Sequence, residues 1–406
     1  MKMNSLKSIL SVLMPRFLVL NVKYIVQQID RIIKGKKLIQ SDKEIRCFSK
    51  PKTHVFFGYY DITPFNSQSD EIVYLNLKEK DDFVHIMINT CNNDQELKLT
   101  TSNAWNWQQG CRLRWMPNNN REVVFNDFND KEYFARVLNV DTKQERRISY
   151  PLYDISPDGR YGLSIDFERL GVKRPGYGYI CREYIEEDHD LNNESIDLID
   201  IENNKKEVLL TYSDIIKIDG CQSLNLKNNY INHLSFSPSG RKFLFFWLTV
   251  DTSWHKANLL VHDLDTKETK LLEGKEKVSH YVWQDDDNII CTAADEKQNW
   301  HYYIYNVTSA TKLQLNPQIL NIDGHPSLFA EGKIVTDTYP NLKGYQFLFV
   351  ANKDSGGFER LIEIYSNCKI EGERRTDLHP RYNNKKRLLC FDSNQHRYRT
   401  LMLLSV

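Results

Sequence analysis

Two four-residue turns, Ser156-Pro157-Asp158-Gly159 and Ser237-Pro238-Ser239-Gly240, each close a short apolar strand, and their prolines stand 81 residues apart. No other feature constrains the fold as much. A strand–turn unit that recurs cannot bury its own apolar face and needs copies stacked beside it. Weaker copies stand at 63–66 (TPFN) and 116–119 (MPNN). Counting back five residues from each turn proline marks Tyr59, Arg112, Leu152 and His233. Three later segments keep the strand pattern without the proline and begin at His280, His325 and His379. The seven markers are spaced 53, 40, 81, 47, 45 and 54 residues apart. Most intervals match the roughly 40–50 residues of a four-stranded propeller blade. The long interval is read as an insertion in the third blade plus a link after it.

The pattern predicts an all-β fold, a seven-bladed β-propeller over residues 42–406. The last repeat has room for only three strands, and KEIRCFSK at 43–50 is expected to supply the fourth. That pairing closes the ring and removes its open sheet edges. Residues 1–41 differ from the rest. Apolar residues recur there at helical spacing on both sides of Pro15, beside lysines and arginines opposed only by Asp30. A basic amphipathic helical extension is expected, lying on a membrane surface, on a biosynthetic enzyme or on the body of the protein. Arg16 interrupts the apolar run and argues against a membrane span.

Lysine plus arginine equals aspartate plus glutamate at 54 each, which gives no support for nucleic-acid binding. The eight cysteines are scattered without a C-x-x-C pair, which suits reduced thiols in a cytoplasmic protein, peripheral to the inner membrane face if the extension binds lipid. In a propeller the innermost strand of each blade starts on the upper face beside the central channel. The seven markers should therefore ring one channel mouth. Four of them are histidine, in a chain with eleven. The connection between second and third strands opens on the same face. In blade three it carries Arg169, Lys173, Arg174, Tyr177, Tyr179 and Arg182. In blade four it carries Trp254, His255 and Lys256. Each feature also has a plainer use. The histidines could cap a water-filled channel, Tyr59 and Tyr60 could pack between blades, and Arg112 could pair with a structural carboxylate.

The segments DISPDGR, LSFSPSGRKFLFF, GHPSLF and DLHPR resemble those of seven-bladed TolB-like and oligogalacturonate-lyase-like propellers. The resemblance covers about residues 45–406. FFGYYDITPF and NWQQGCRLRW look like motifs of propellers associated with bacterial surface-polysaccharide synthesis. The lyase branch implies β-elimination in uronate-containing glycans, with histidines holding a divalent metal. Removing the proton at C5 requires the neighbouring carboxylate to be neutralised by a metal or arginine. His233, His325 and His379 are the expected ligands of manganese, magnesium or calcium. Tyr59, Arg112 and His280 are the expected catalytic groups. Tyr60, Gln109, Arg174, Tyr177, Trp254 and Lys256 are expected to bind the sugar, and Asp61 and Gln108 lie near the same mouth. The alternative is a non-catalytic propeller that binds an acidic polysaccharide or oligosaccharide, or assembles biosynthetic enzymes.

Overall fold

The protein was analysed as a computed structural model that describes residues 15–91, 95–184, 191, 194–223, 225–250, 255–274, 277–330 and 332–406. It is a seven-bladed β-propeller of antiparallel sheets. Strand succession within a blade is plain in blade four, where Asn229–Phe236, Lys242–Val250, His255–Asp263 and Thr269–Glu273 pair in chain order. Blade seven has three strands of its own, Arg381–Asn383, Leu388–Ser393 and Thr400–Ser405. Its fourth is Ile45–Phe48, with Ile45 opposite Leu404 and Phe48 opposite Leu401. The ring is closed by the two ends of the propeller sequence, as the missing last strand requires.

Apolar residues on alternate strand positions fill the spaces between blades. Val55, Ile72, Leu75 and Phe125 are buried across the first two, and Leu389, Met402 and Leu404 across the closure. The two SP-x-G turns have the same construction. Gly159 and Gly240 have φ of +73° and +75°, and each donates its N–H to the turn serine, at 2.8 and 2.9 Å. Glycine is the residue that reaches this region without steric cost. At Gly159 a Cβ would also lie 2.4 Å from the Asn118 side chain. The insertion in blade three does lie between its second and third strands, and includes a short helix at Phe167–Lys173 capped by Asp166.

The extension contains one described helix, α1 (Arg16–Ile33). It starts directly after Pro15. It ends at Ile33, and just beyond it Gly35, with φ of +59°, lets Lys36 N–H return to the Arg31 carbonyl at 2.9 Å. Residues 1–14 lie outside the described residues. The chain does not pass straight from extension to blade seven. Ile39–Gln40 first joins blade six as a fifth strand, opposite Ile364 and Glu363.

Candidate active site

Three of the seven marker residues, Arg112, His233 and His379, have φ between +49° and +55°. This conformation is uncommon for non-glycine residues, and at buried positions outside a turn the surroundings must hold it. At His233 those surroundings are tyrosines. Its N–H donates to the Tyr153 hydroxyl at 2.9 Å, and its carbonyl accepts from the Tyr281 hydroxyl. The strand pairing skips at this point, between Asn232 and Ser235, and again between Val278 and Tyr281 around His280. Such bulges re-aim side chains next to a channel.

The four histidines do converge. The His280 and His325 ring centres are 4.0 Å apart, and those of His325 and His379 are 4.5 Å apart. Tyr59 sits among them, 5.2 Å from His233, 6.1 Å from His325 and 4.8 Å from His379. All five are buried. Leu152 faces a blade interface instead, in a cluster with Met116 and Ile155.

Three of the histidines share one arrangement. His280 Nδ1 lies 3.0 Å from Asp323, and His325 Nδ1 lies 2.9 and 3.0 Å from the two oxygens of Asp337. His379 Nδ1 lies 3.1 Å from the Gly58 carbonyl. A carbonyl only accepts, so His379 Nδ1 carries the proton and its Nε2 offers a lone pair. That Nε2 is buried without a hydrogen-bond partner. Asp337 also accepts from the backbone N–H of His325 at 2.8 Å and of His379 at 3.1 Å, so one carboxylate seats two rings. His325, His379 and Asp377 each offer a ligand atom, all within 4.8 Å of one another. Two imidazoles and a carboxylate are donors that suit a divalent ion, and here the Asp337 carboxylate orients one ring and the Gly58 carbonyl the other.

The electrostatics follow from this pairing. Burial would push the His325 imidazolium down, but Asp337 outweighs it and holds His325 above the usual histidine range. Burial, and then the charge on His325, push His379 down. His280 is likewise lowered by burial and by His325, against the pull of Asp323. His233 is lowered by burial, then by His280 and Arg112, and stays a neutral imidazole. Burial raises the Tyr59 hydroxyl well above its ordinary range, so it keeps its proton.

Several expected site residues are placed differently. Arg112 does not face the histidines with a free guanidinium. It makes a bidentate ion pair with Asp61 at 3.1 and 2.9 Å and donates to the Tyr153 carbonyl at 2.8 Å, all below the surface. His233 lies outside the candidate metal cluster. It stacks on Tyr281 at 4.3 Å with both ring nitrogens unpaired. The Tyr60 hydroxyl donates to the Tyr281 carbonyl and accepts from the Tyr281 N–H, both at 2.9 Å, so it pins blade five rather than facing a ligand. Gln109 is buried, with its amide donating to Tyr153 at 2.7 Å and Asn232 at 3.1 Å. Gln108 donates to the carbonyls of Glu373 and Arg375. Arg169 is wholly buried and pairs with Glu194, and Arg182 pairs with Glu168. Lys256 is exposed, one position along the strand from the cavity-lining Ala257. Trp254 and the His255 side chain lie outside the described residues.

Beside the histidines is a cavity of about 350 Å³, lined in part by Tyr59, Arg174, Tyr177, Tyr230, His233 and His280. Phe246, Leu248 and Val278 also line it. Arg174 stacks on the Tyr177 ring at 5.2 Å and makes no ion pair among the described residues. Tyr177 is fixed by Arg375, which donates to its hydroxyl at 2.7 Å and to Asp377 at 3.1 Å. The wall thus combines aromatic faces, a guanidinium without an ion pair among the described residues, and neutral imidazoles.

Asp323, Asp337 and Asp377 were not among the expected site residues. For two of them a signal exists. Asp323-Gly324-His325-Pro326 and Asp377-Leu378-His379-Pro380 are one repeated D-x-H-P motif. In each the aspartate reaches back to the histidine of the preceding blade: Asp323 to His280, and Asp377 to the cluster with His325. Asp337 comes from the end of a second strand and carries no comparable signal.

No protein-family model matches this chain, and no curated protein matches it. Solved structures do. An oligogalacturonate lyase in complex with manganese aligns over 90% of this chain and 94% of its own, with a TM-score of 0.67 and 12% identity. Oligogalacturonate lyase from Vibrio parahaemolyticus aligns over 91% and 98%, with a TM-score of 0.64 and 12% identity. The β-propeller domain of the Trilobed protease from Pyrococcus furiosus aligns over 83% and 91%, with a TM-score of 0.50 and 12% identity. At these identities the likeness shows the β-propeller fold alone, in agreement with the seven sheets of the structure.

Proposed function

We propose that this propeller is a metal-assisted carbon–oxygen lyase acting on a uronate-bearing glycan. The observation that carries the reading is the cluster of His325, His379 and Asp377, with both histidines held by oxygen acceptors at Nδ1. The donors suit a divalent transition ion or manganese. Bound there, such an ion would withdraw charge from a carboxylate and acidify the adjacent C–H. The chain's own residues do the rest. Arg174, which lines the cavity and makes no ion pair among the described residues, meets the sugar carboxylate, taking the part expected of Arg112. Tyr177 and Tyr230 offer apolar faces to the sugar rings. His233, neutral and unpaired at both nitrogens, accepts the C5 proton. Tyr59 keeps its proton and can donate it to the departing oxygen.

A second reading, a binding propeller without turnover, draws support from the sealing of Arg112 by Asp61 and of Tyr60 by Tyr281. The test follows the ultraviolet absorbance of an unsaturated uronate over a panel of acidic polysaccharides with added manganese, magnesium or calcium. Turnover that is lost in His233→Ala while glycan binding persists supports the lyase. Glycan binding without absorbance change on any substrate selects the binding propeller.

A further inference from the structure

Helix α1 is docked the wrong way round for a helix that serves only its own fold. An amphipathic surface helix normally turns its apolar stripe inward. Here the residue it buries is Gln27, 4% exposed. The Gln27 amide donates to the Leu342 carbonyl at 3.0 Å and accepts from the Tyr365 hydroxyl at 3.1 Å. Tyr24, on the same side, lies under the Lys369 ammonium at 4.3 Å. Arg16 pairs with Glu371 at one end, and Lys36 with Glu363 just beyond the other, at 2.6 Å. The directed contacts of the docking are mostly polar, with Val19, Leu20 and the Tyr24 ring half-buried among them. At 100° per residue, Val22, Ile25, Val26, Ile29, Ile32 and Ile33 fall within roughly 120° on the opposite side. They are 49–77% exposed. Nothing among the described residues covers them.

A stripe held outward by buried polar contacts is a presented surface. Its charge says what it meets. From Arg16 to Lys37 the segment carries six cations, Arg16, Lys23, Arg31, Lys34, Lys36 and Lys37, against Asp30 alone. Lys23 and Lys37 are exposed and make no ion pair among the described residues, and Lys343 adds a third exposed charge beside the helix. A second copy pairing stripe to stripe would set these cations against one another. No helix is long and apolar enough to cross a membrane. We infer that α1 seats this propeller on an anionic lipid surface, lying in the plane of the interface with its isoleucines among the acyl chains and its lysines at the headgroups. The holding segments, 341–345 and 366–371, are connections on the same face as the channel mouth, and the second runs on to Arg375 beside Tyr177. The bilayer would lie on the side to which the histidine cavity opens. The inference uses neither metal nor glycan and stands apart from the proposed reaction.

The experiment sediments the full chain with vesicles of phosphatidylcholine alone, or with about a third phosphatidylglycerol. Two double variants accompany it, Ile25→Asp/Ile29→Asp and Lys23→Glu/Lys37→Glu. All four positions are exposed, and near-ultraviolet circular dichroism checks that the fold is kept. The expected result is binding to the anionic vesicles, at least about tenfold weaker for either variant and for neutral vesicles. No vesicle binding by the wild type, or equal binding by the isoleucine variant, overturns the inference. A wild-type dimer in sedimentation velocity, dissolved by the isoleucine variant and indifferent to vesicles, overturns it in favour of self-association.

Discussion

The two halves of the channel mouth start from equivalent positions and end in opposite states. On one side, Arg112 of blade two, Tyr153 of blade three, and Gln109 and Asn232 around them are joined in a polar network in which only the Gln109 Oε1 is left without a partner among these four residues. Arg112 meets Asp61, the Tyr153 hydroxyl accepts from Gln109 and the His233 N–H, and it donates to Asn232 at 2.8 Å. On the other side, His280, His325 and His379 of blades five to seven are each satisfied at Nδ1 by an oxygen acceptor, and Asp377 stands beside two of them. A network that satisfies its own members fixes the backbone. On the second side the buried His379 Nε2 has no hydrogen-bond partner, and it stands beside His325 and Asp377. The shared register says where a side chain starts. Its neighbours decide which of these it becomes.

The largest effect expected from this contrast is on stability, at the closed side. Arg112→Ala leaves Asp61 buried without its partner and should cost about 3–5 kcal/mol in urea unfolding. A loss below about 1 kcal/mol would mean that the ion pair is no scaffold and would reopen Arg112 as a ligand group. Next is Tyr153→Phe, which strips the acceptor from two buried donors and should cost about 1–3 kcal/mol, with divalent-ion affinity unchanged. On the open side, Asp337→Asn should instead weaken divalent-ion binding about 10–100-fold, measured by equilibrium dialysis, because the His325 tautomer is no longer fixed. An affinity unchanged in Asp337→Asn would erase the distinction between the two halves.

A separate effect, on the pH dependence of stability, concerns histidines away from the mouth. Burial, and then neighbouring cations, lower His54 and His262 to about 4. Both must stay neutral in the folded state, while the unfolded chain binds protons near pH 6.5. Their contribution is therefore complete above about pH 6.5 and is lost as the pH falls from there to about 4. The urea midpoint should decline over that window, and His262→Gln should flatten the decline. A midpoint that holds level from pH 6.5 to 4 would show that these two rings are not enclosed as described.

The propeller was legible because it is written in repeats. The turn glycines, the marker spacing and the missing last strand each depend on local sequence, and the pairing of Ile45–Phe48 with the final blade follows from them. The convergence of His233, His280, His325 and His379 was legible for the same reason. Their division of labour was not. Asp61 stands 51 residues from Arg112 in the chain, and Tyr281 stands 48 from His233, so spacing alone does not disclose the pairings that retire Arg112 and set His233 apart. Asp323 and Asp377 could have been found in the doubled D-x-H-P motif, whereas Asp337 is recognisable only once blade six is folded. The amphipathic helix was evident from periodicity. That its polar side would be the docked one depends on Tyr365, 338 residues away from Gln27.

The central claim is that the open half of the mouth holds a divalent ion and the closed half does not. Isothermal titration of the purified, chelator-treated chain with manganese tests it directly, using wild type, His379→Ala and His233→Ala. The account predicts one ion per chain in the wild type, retained in His233→Ala and lost in His379→Ala with the fold intact. A wild-type protein that takes up no manganese, or one whose binding falls as far in His233→Ala as in His379→Ala, would contradict it.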